Sequence, residues 1–121
     1  MTDARGRAEQ DMERHHLGQV LEHVETTIKY RGVLVWERDC VVLAVPHDPV
    51  EGDHGHTMFV LYAGGAVQRI ADVVERTRAN GITHWVYNWG FKRGQEKMVK
   101  LSVSRWLKLV RKGGRDGQRL V

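Results

Sequence analysis

Residues 57–89 read TMFVLYAGGAVQRIADVVERTRANGITHWVYNW, and this stretch decides the fold. The apolar run at 57–63 predicts one strand, and the run at 82–89 predicts another. Between them, apolar residues recur at helical spacing, and Asn80-Gly81 predicts the end of that helix. A strand–helix–strand unit implies that the two strands are parallel, so the sheet is expected to contain parallel pairing.

The residues before this unit predict a hairpin preceded by a helix. Two β-branched runs, Val33–Trp36 and Val41–Val45, are separated by the polar Glu37-Arg38-Asp39, which predicts a β-hairpin. Apolar residues at helical spacing predict one amphipathic helix over residues 9–28, with a kink or a break at Gly18 as an alternative. Residues 1–8 are expected to form a flexible end.

The residues after the unit predict a turn and a final helix. GFKRG at 90–94 predicts the turn, and residues 95–112 are expected to form the last helix. Residues 113–121 form a basic tail. The predicted order is therefore α-β-β-β-α-β-α, an α+β fold in which helices cover the faces of a mixed sheet, with a single domain at 9–112.

Composition restricts the class of protein. A chain of 121 residues buries enough surface to fold as one domain without a disulfide or a metal. The single cysteine, Cys40, lies in an apolar run, which indicates a buried thiol and a reducing compartment. The polar N-terminus does not resemble a signal peptide, and no apolar run reaches the roughly 20 residues of a membrane span. We therefore expect a soluble, cytoplasmic protein.

Charge is distributed unevenly along the chain. Residues 1–90 contain 9 Lys/Arg and 13 Asp/Glu, whereas residues 91–121 contain 10 and 2. On the predicted last helix, Lys108, Arg111 and Lys112 lie mostly toward solvent, where they are candidates for weak, sequence-independent nucleic-acid binding. The same basic surface is also suited to the 3′-phosphate of CoA or to an acidic protein, and a solvated helix face explains it as well.

Two further patterns have both a functional and a structural explanation. Gly64-Gly65 between a strand and a helix is suited to binding phosphate on backbone amides, but close packing alone also requires such glycines. The loop at 47–56 contains three His and three Asp/Glu, which are suitable metal ligands. Its spacing matches no known ligand pattern, so we predict a polar loop and no metal site.

The element order and the stretch Leu61-Tyr62-Ala63-Gly64-Gly65-Ala66 resemble the GNAT N-acetyltransferase fold, in particular the short GNAT-like proteins of tailed bacteriophages. Across residues 10–112 this resemblance implies that Gly64, Gly65 and Ala66 would hold the pyrophosphate of acetyl-CoA. It also implies that Asn88, at a strand end, would meet the pantetheine. Leu61 replaces the Arg/Gln of the family motif, and the last helix lacks the family's Tyr.

The resemblance provides only substitute catalytic groups. It implies Tyr62, Tyr87 and His84 as proton donors and Glu37 as the base, although each of the first three is also explained as a packed strand residue. We therefore expect a non-catalytic GNAT-like protein, a phage virion or host-interaction component with a protein partner and no cofactor. A small acetyl-CoA-dependent N-acyltransferase is the alternative, and a nucleic-acid-binding protein is the second alternative.

Overall fold

The computed structural model describes residues 3–15, 18–46, 56–92 and 95–112. Its elements, in chain order, are α1 (Ala4–His15), α2 (Gln19–Lys29), β1 (Val33–Trp36), β2 (Cys40–Pro46), β3 (Thr57–Gly65), α3 (Val67–Ala79), β4 (His84–Lys92), β5 (Gln95–Ser102) and α4 (Val103–Lys112). The fold is α+β, as the sequence predicts.

The five strands form one mixed sheet in the order β1-β2-β3-β4-β5. The β1–β2, β2–β3 and β4–β5 pairs are antiparallel, and β3 and β4 are parallel. The predicted hairpin and the predicted parallel pair are therefore confirmed. Five consecutive residues of β2, from Cys40 to Ala44, are fully buried, because both faces of this strand are covered.

Helices cover the two faces of the sheet, and alternate residues of β2 point to different faces. Cys40, Val42 and Ala44 join the larger core cluster with buried side chains of α3 and α4. Val41 and Leu43 join a smaller cluster with Ala4, Ala8 and Met12 of α1, against which Val20 and Val24 of α2 also pack. The α3/α4 face and the α1/α2 face are therefore the two outer layers.

The prediction of a final helix over residues 95–112 is wrong for its first eight residues. Residues Gln95–Ser102 form β5, an antiparallel partner of β4, and the helix begins only at Val103. Glu, Lys, Met and Leu favour helices, but Val99, Leu101 and Val103 also alternate with polar residues at the period of a strand. Pairing with β4 decides between the two, so the observed order has one strand more than the predicted order, and it also has a second helix near the N-terminus.

The N-terminal segment is also more ordered than predicted. The Asp3 carboxylate accepts a hydrogen bond from the Gly6 N–H at 2.7 Å, which caps α1. Ala4 and Ala8 are buried, so α1 begins well inside the segment expected to be flexible. The region predicted as one helix is two, α1 and α2, and Gly18 before α2 has a φ of 81°. The alternative of a break at Gly18 is therefore the correct one.

None of the helices in the described ranges combines the length and the apolar character that a membrane-crossing segment requires.

Candidate functional site

An open groove lies between α3 and α4 on the outer side of the α3/α4 face. It encloses about 420 Å³ and is lined by Arg78, Ser104, Leu107, Lys108 and Arg111. Three of these five side chains are cationic, and a fourth carries a hydroxyl group. We refer to these five residues as the α3–α4 groove.

The sequence of α4 explains why cations reach this groove. Val103, Trp106, Leu107 and Val110 are buried against the sheet and α3. The residues between them must therefore face outward, and every charged residue of the helix, VSRWLKLVRK, is basic. Lys108 and Arg111 are exposed, as the sequence predicts, whereas the side chain of Lys112 lies outside the described part.

The Glu75 carboxylate lies next to two of the cations that line the groove. Its Oε1 accepts a hydrogen bond from the Arg78 guanidinium at 2.6 Å, and its Oε2 lies 3.6 Å from Arg111 Nη2. Oε2 is buried and accepts no hydrogen bond in the described residues. Glu75 therefore holds the two guanidinium groups near each other and offsets one positive charge. Lys108 forms no ion pair within the described ranges, and its full charge is available to a ligand.

Arg78 is the member of this groove that sequence reasoning did not assign to it. In the sequence it appears as one of several charged residues on the solvent side of the helix at 67–79, where a cation in the last turn is explained by the helix dipole. Only the packing of α4 against α3 brings it to the same cavity as Lys108 and Arg111.

Close packing alone explains why position 65, in the predicted phosphate-binding stretch, is a glycine. Gly65 has a φ of 116°, and a Cβ atom there would lie 2.3 Å from the Asp39 carbonyl oxygen. The Ala66 N–H donates to that same oxygen at 3.0 Å. Gly64 lies under the Tyr62 ring, which is 3.1 Å from where its Cβ would be. The tip of the β1–β2 hairpin, residues 37–39, therefore fills the space that a phosphate would enter at Gly65 and Ala66.

The hairpin tip also brings negative charge to the start of α3. Arg69, in the first turn of α3, donates to the Glu37 carboxylate, and its Nε lies 3.8 Å from Asp39 Oδ2. Carboxylates are favourable near a helix N-terminus because they interact with its positive end. All three side chains are substantially exposed, so these pairs stabilise the fold little. Glu37, a predicted base, is thus an ion-pair partner here.

Tyr62 lies on the α1/α2 face and contacts α1. Its hydroxyl donates to Asp11 Oδ2 at 2.9 Å, and the side chain is half-buried. Burial, together with the Asp11 carboxylate, raises the pKa of the Tyr62 hydroxyl above its usual range. A tyrosine held in this way is a weaker proton donor than a free one, and its hydrogen bond ties α1 to β3.

The remaining predicted catalytic residues, His84 and Tyr87, lie away from Gly64-Gly65. His84 pairs with Thr57 at the far end of β3, eight residues before Gly65, which is about 26 Å at 3.3 Å per residue. Tyr87 pairs with Val60 in mid-sheet and is half-buried. The structure therefore brings only Tyr62 and Glu37 near Gly64-Gly65 and does not bring the four predicted catalytic residues together.

The hydrogen-bonded pairing of β3 with β4 ends before β3 reaches Gly64-Gly65. Their parallel ladder joins Thr57–Val60 to His84–Tyr87, and Val60–Tyr87 is its last pair in the described residues. Asn88 follows Tyr87 but lies within β4, not after it, and it pairs with Met98 of β5. Its side chain lies outside the described part of the structure. Beyond Val60–Tyr87, β3 therefore keeps its pairing with β2 and β4 keeps its pairing with β5, while the two strands no longer pair with each other in the described residues.

The described residues contain no group of three or more His, Cys, Asp or Glu side chains placed to hold a metal ion. The histidine-rich loop lies outside those residues at positions 47–55. Cys40 is fully buried, and burial raises the pKa of its thiol. This agrees with the predicted buried thiol.

Comparisons of the chain with protein-family models, curated proteins and solved structures found no match. The GNAT resemblance therefore stays a prediction.

Proposed function

We propose that the protein is a non-catalytic binding domain that holds a phosphate-rich polyanion, a nucleic-acid backbone, in the α3–α4 groove. The observation that supports this is the convergence of Arg78, Lys108 and Arg111, together with the Ser104 hydroxyl, on one open cavity. Guanidinium and ammonium groups are the main phosphate ligands of proteins, and hydroxyl groups add hydrogen bonds. A virion or host-interaction component, the role expected from the resemblance, belongs to the same non-catalytic class.

The charge of the groove indicates weak binding without base readout. Three cations and the Glu75 carboxylate leave a net charge of two positive units. Each neutralised phosphate contributes about 0.9 to the slope of log affinity against log salt, so a slope of about −2 to −3 is expected. Dissociation constants in the range of roughly 10⁻⁴ to 10⁻⁶ M are typical of such contacts at physiological salt.

The test is binding of random-sequence single-stranded and duplex oligonucleotides, measured by fluorescence anisotropy across a salt series. Lys108→Gln should weaken binding and reduce the salt slope by about 1, because it removes one phosphate contact. Arg76→Gln is the matched control: it removes one positive charge from an exposed site on α3 that does not line the groove. Equal effects of the two substitutions would contradict a localised site.

Glu75→Gln tests the same groove in the opposite direction. Removing this carboxylate frees the charges of Arg78 and Arg111, so affinity should rise several-fold at low salt, and the salt slope should become steeper by up to about 1. Unchanged or weaker binding would mean that Glu75 acts mainly by positioning the two guanidinium groups.

An acyl-CoA ligand is the second candidate, and one observation favours it. The parallel ladder ends at Val60–Tyr87, which leaves an opening in the ladder beside Gly64-Gly65, the last two residues of β3. Acetyl-CoA at about 1 mM should raise the melting temperature if it binds the native state there. The shift should persist in Lys108→Gln, which distinguishes this opening from the α3–α4 groove. No shift in either protein would contradict acyl-CoA binding.

A further inference from the structure

The free edge of the sheet at β1 is bordered by exposed apolar side chains. Leu21 and Ile28 are each 63% exposed, Tyr30 is 57% exposed and Leu34 is 39% exposed. We call these four residues the β1-edge patch. In the part of the chain that the structure describes, β1 has a hydrogen-bonded neighbour on one side only. An apolar patch next to an open strand edge is a pairing surface that monomeric proteins usually protect with charge.

The orientation of α2 directs this patch toward the free edge. Val20, Val24 and Thr27 face the core, and Leu21 and Ile28 lie together on one flank of the helix. α1 contacts β2 and β3, whereas α2 contacts β1 and β2, so α1 lies on the other flank of α2. Because Leu21 and Ile28 are exposed, they do not lie on the flank that α1 covers, and their flank faces outward, beyond β1.

Backbone N–H and C=O groups of β1 point away from β2 at every second residue. Glu37 and Cys40 exchange both of their backbone hydrogen bonds, at 2.9 and 3.4 Å. Because hydrogen-bonded and non-hydrogen-bonded pairs alternate in an antiparallel ladder, Val33 and Val35 bond to β2. The N–H and C=O groups of Leu34 and Trp36 then point away from β2, toward the open edge.

We infer that this edge is a self-complementary interface, and that the protein forms a two-fold dimer through antiparallel pairing of β1 with β1 of a second copy. With the axis at Val35, Leu34 of each copy lies opposite Trp36 of the other. Each such pair exchanges two hydrogen bonds, so four form, and the two sheets become one continuous sheet.

The position of α2 is consistent with the same axis. The Gly32 N–H donates to the Thr27 oxygen at 2.8 Å, which holds the end of α2 beside the start of β1. The 11 residues of α2 extend about 16 Å, so its midpoint lies near the level of Val35. Since α2 lies over β1 and β2, and strands are about 4.8 Å apart, the two α2 axes would be about 10 Å apart, a normal helix-packing distance.

Charge complementarity also favours a second copy. Antiparallel α2 helices place Leu21 opposite Ile28 of the other copy, and Glu22 then lies near the other copy's Lys29 at both ends. One like-charge contact opposes the dimer, because the two Glu25 side chains approach each other near the axis. Glu25→Gln should therefore tighten the dimer, whereas Glu22→Gln should loosen it.

Sedimentation velocity of the full chain over a concentration series tests the association. The wild type should sediment as a dimer at high concentration, and the double variant Leu21→Glu/Ile28→Glu should remain monomeric. Leu109→Glu is the matched control, since Leu109 is 56% exposed on α4, far from this edge, and this variant should remain dimeric. A wild type that is monomeric at all concentrations, or dissociation by Leu109→Glu, would overturn the inference.

Cysteine cross-linking tests the strand register, with melting curves to verify that each variant is folded. Val35→Cys should form an intermolecular disulfide on oxidation, because the two Cα atoms in a non-hydrogen-bonded pair on the axis are about 4.5 Å apart. Leu34→Cys should not, because the two copies of residue 34 are offset along the strands. The native Cys40 is buried and does not compete. Cross-linking of Leu34→Cys but not of Val35→Cys would overturn this register.

Discussion

The two faces of the sheet differ in what they bury and in what they present. The α3/α4 face buries the larger core cluster and carries a cationic groove on its outer side. The α1/α2 face buries a smaller cluster and leaves apolar side chains exposed along its margin at β1. The difference underlies both proposals: the cations of the α3/α4 face match a charged ligand, and the apolar margin of the α1/α2 face matches another protein surface.

The hairpin tip at residues 37–39 joins the two faces. The Ala4 N–H of α1 donates to the Arg38 oxygen at 2.8 Å, and the Ala66 N–H before α3 donates to the Asp39 oxygen at 3.0 Å. Neighbouring carbonyl groups of one turn therefore anchor the start of a helix on each side of the sheet. Substitutions at this turn should change the stability of both faces, whereas a core substitution should change the packing of one face only.

The largest expected effect is a core substitution on the α3/α4 face. Trp106→Ala should lower the free energy of unfolding by about 3 to 5 kcal/mol, because it removes a buried aromatic side chain and leaves a cavity. Met12→Ala on α1 should cost about 2 kcal/mol, since its cluster is smaller and lies next to the N-terminus. Urea denaturation measures both values. An equal or greater cost for Met12→Ala would contradict the unequal contribution of the two faces.

A smaller effect is expected at the junction of the two faces. Gly65→Ala should cost about 1 to 3 kcal/mol, because alanine is strained at a φ of 116° and its Cβ would clash with the Asp39 carbonyl oxygen. Gly64→Ala is the matched control and should cost less, since only the Tyr62 ring must shift. Thermal unfolding of the two variants gives the comparison. A Gly64→Ala variant less stable than Gly65→Ala would show that the close approach to Asp39 does not limit this turn.

The smallest expected effect is a pH dependence on the α1/α2 face. Burial lowers the pKa of His23 on α2 below its usual 6.5, so the folded state favours the neutral imidazole. This contribution to stability is present above pH 6.5 and is lost as the pH falls through the folded-state pKa. His23→Gln should therefore reduce the loss of stability between neutral and mildly acidic pH. An unchanged pH profile in this variant would mean that burial of His23 does not contribute.

Much of the fold could be predicted from local patterns. The hairpin, the parallel strand pair and the helix at 67–79 follow from periodicity and from turn residues, because each pattern has one consistent interpretation. The composition of residues 95–102 predicts a helix, and only pairing with β4 makes them a strand. The polar residues 1–8 predict a flexible end, although Asp3 and the spacing of Ala4, Ala8 and Met12 are signals of a capped helix.

The candidate site was less predictable than the fold. The sequence identified Lys108 and Arg111 as outward-facing cations, since they alternate with apolar residues of α4. It did not identify Arg78 or the opposing charge of Glu75, which lie on another helix and reach the groove only through packing. For Gly65 it left both explanations open, because a strand–glycine–helix pattern does not show which atoms approach the backbone.

The sequence by itself determined the α+β class, the parallel strand pair, the buried position of Cys40 and the basic character of α4. These properties depend on the periodicity and composition of short segments, and local physical chemistry fixes them. The tertiary structure alone decided that residues 95–102 form a strand, that the hairpin tip fills the space beside Gly65, and that α3 and α4 share a cationic groove. Each of these depends on contacts between residues far apart in the chain. The free energies of such contacts cannot be read from the pattern of one short segment.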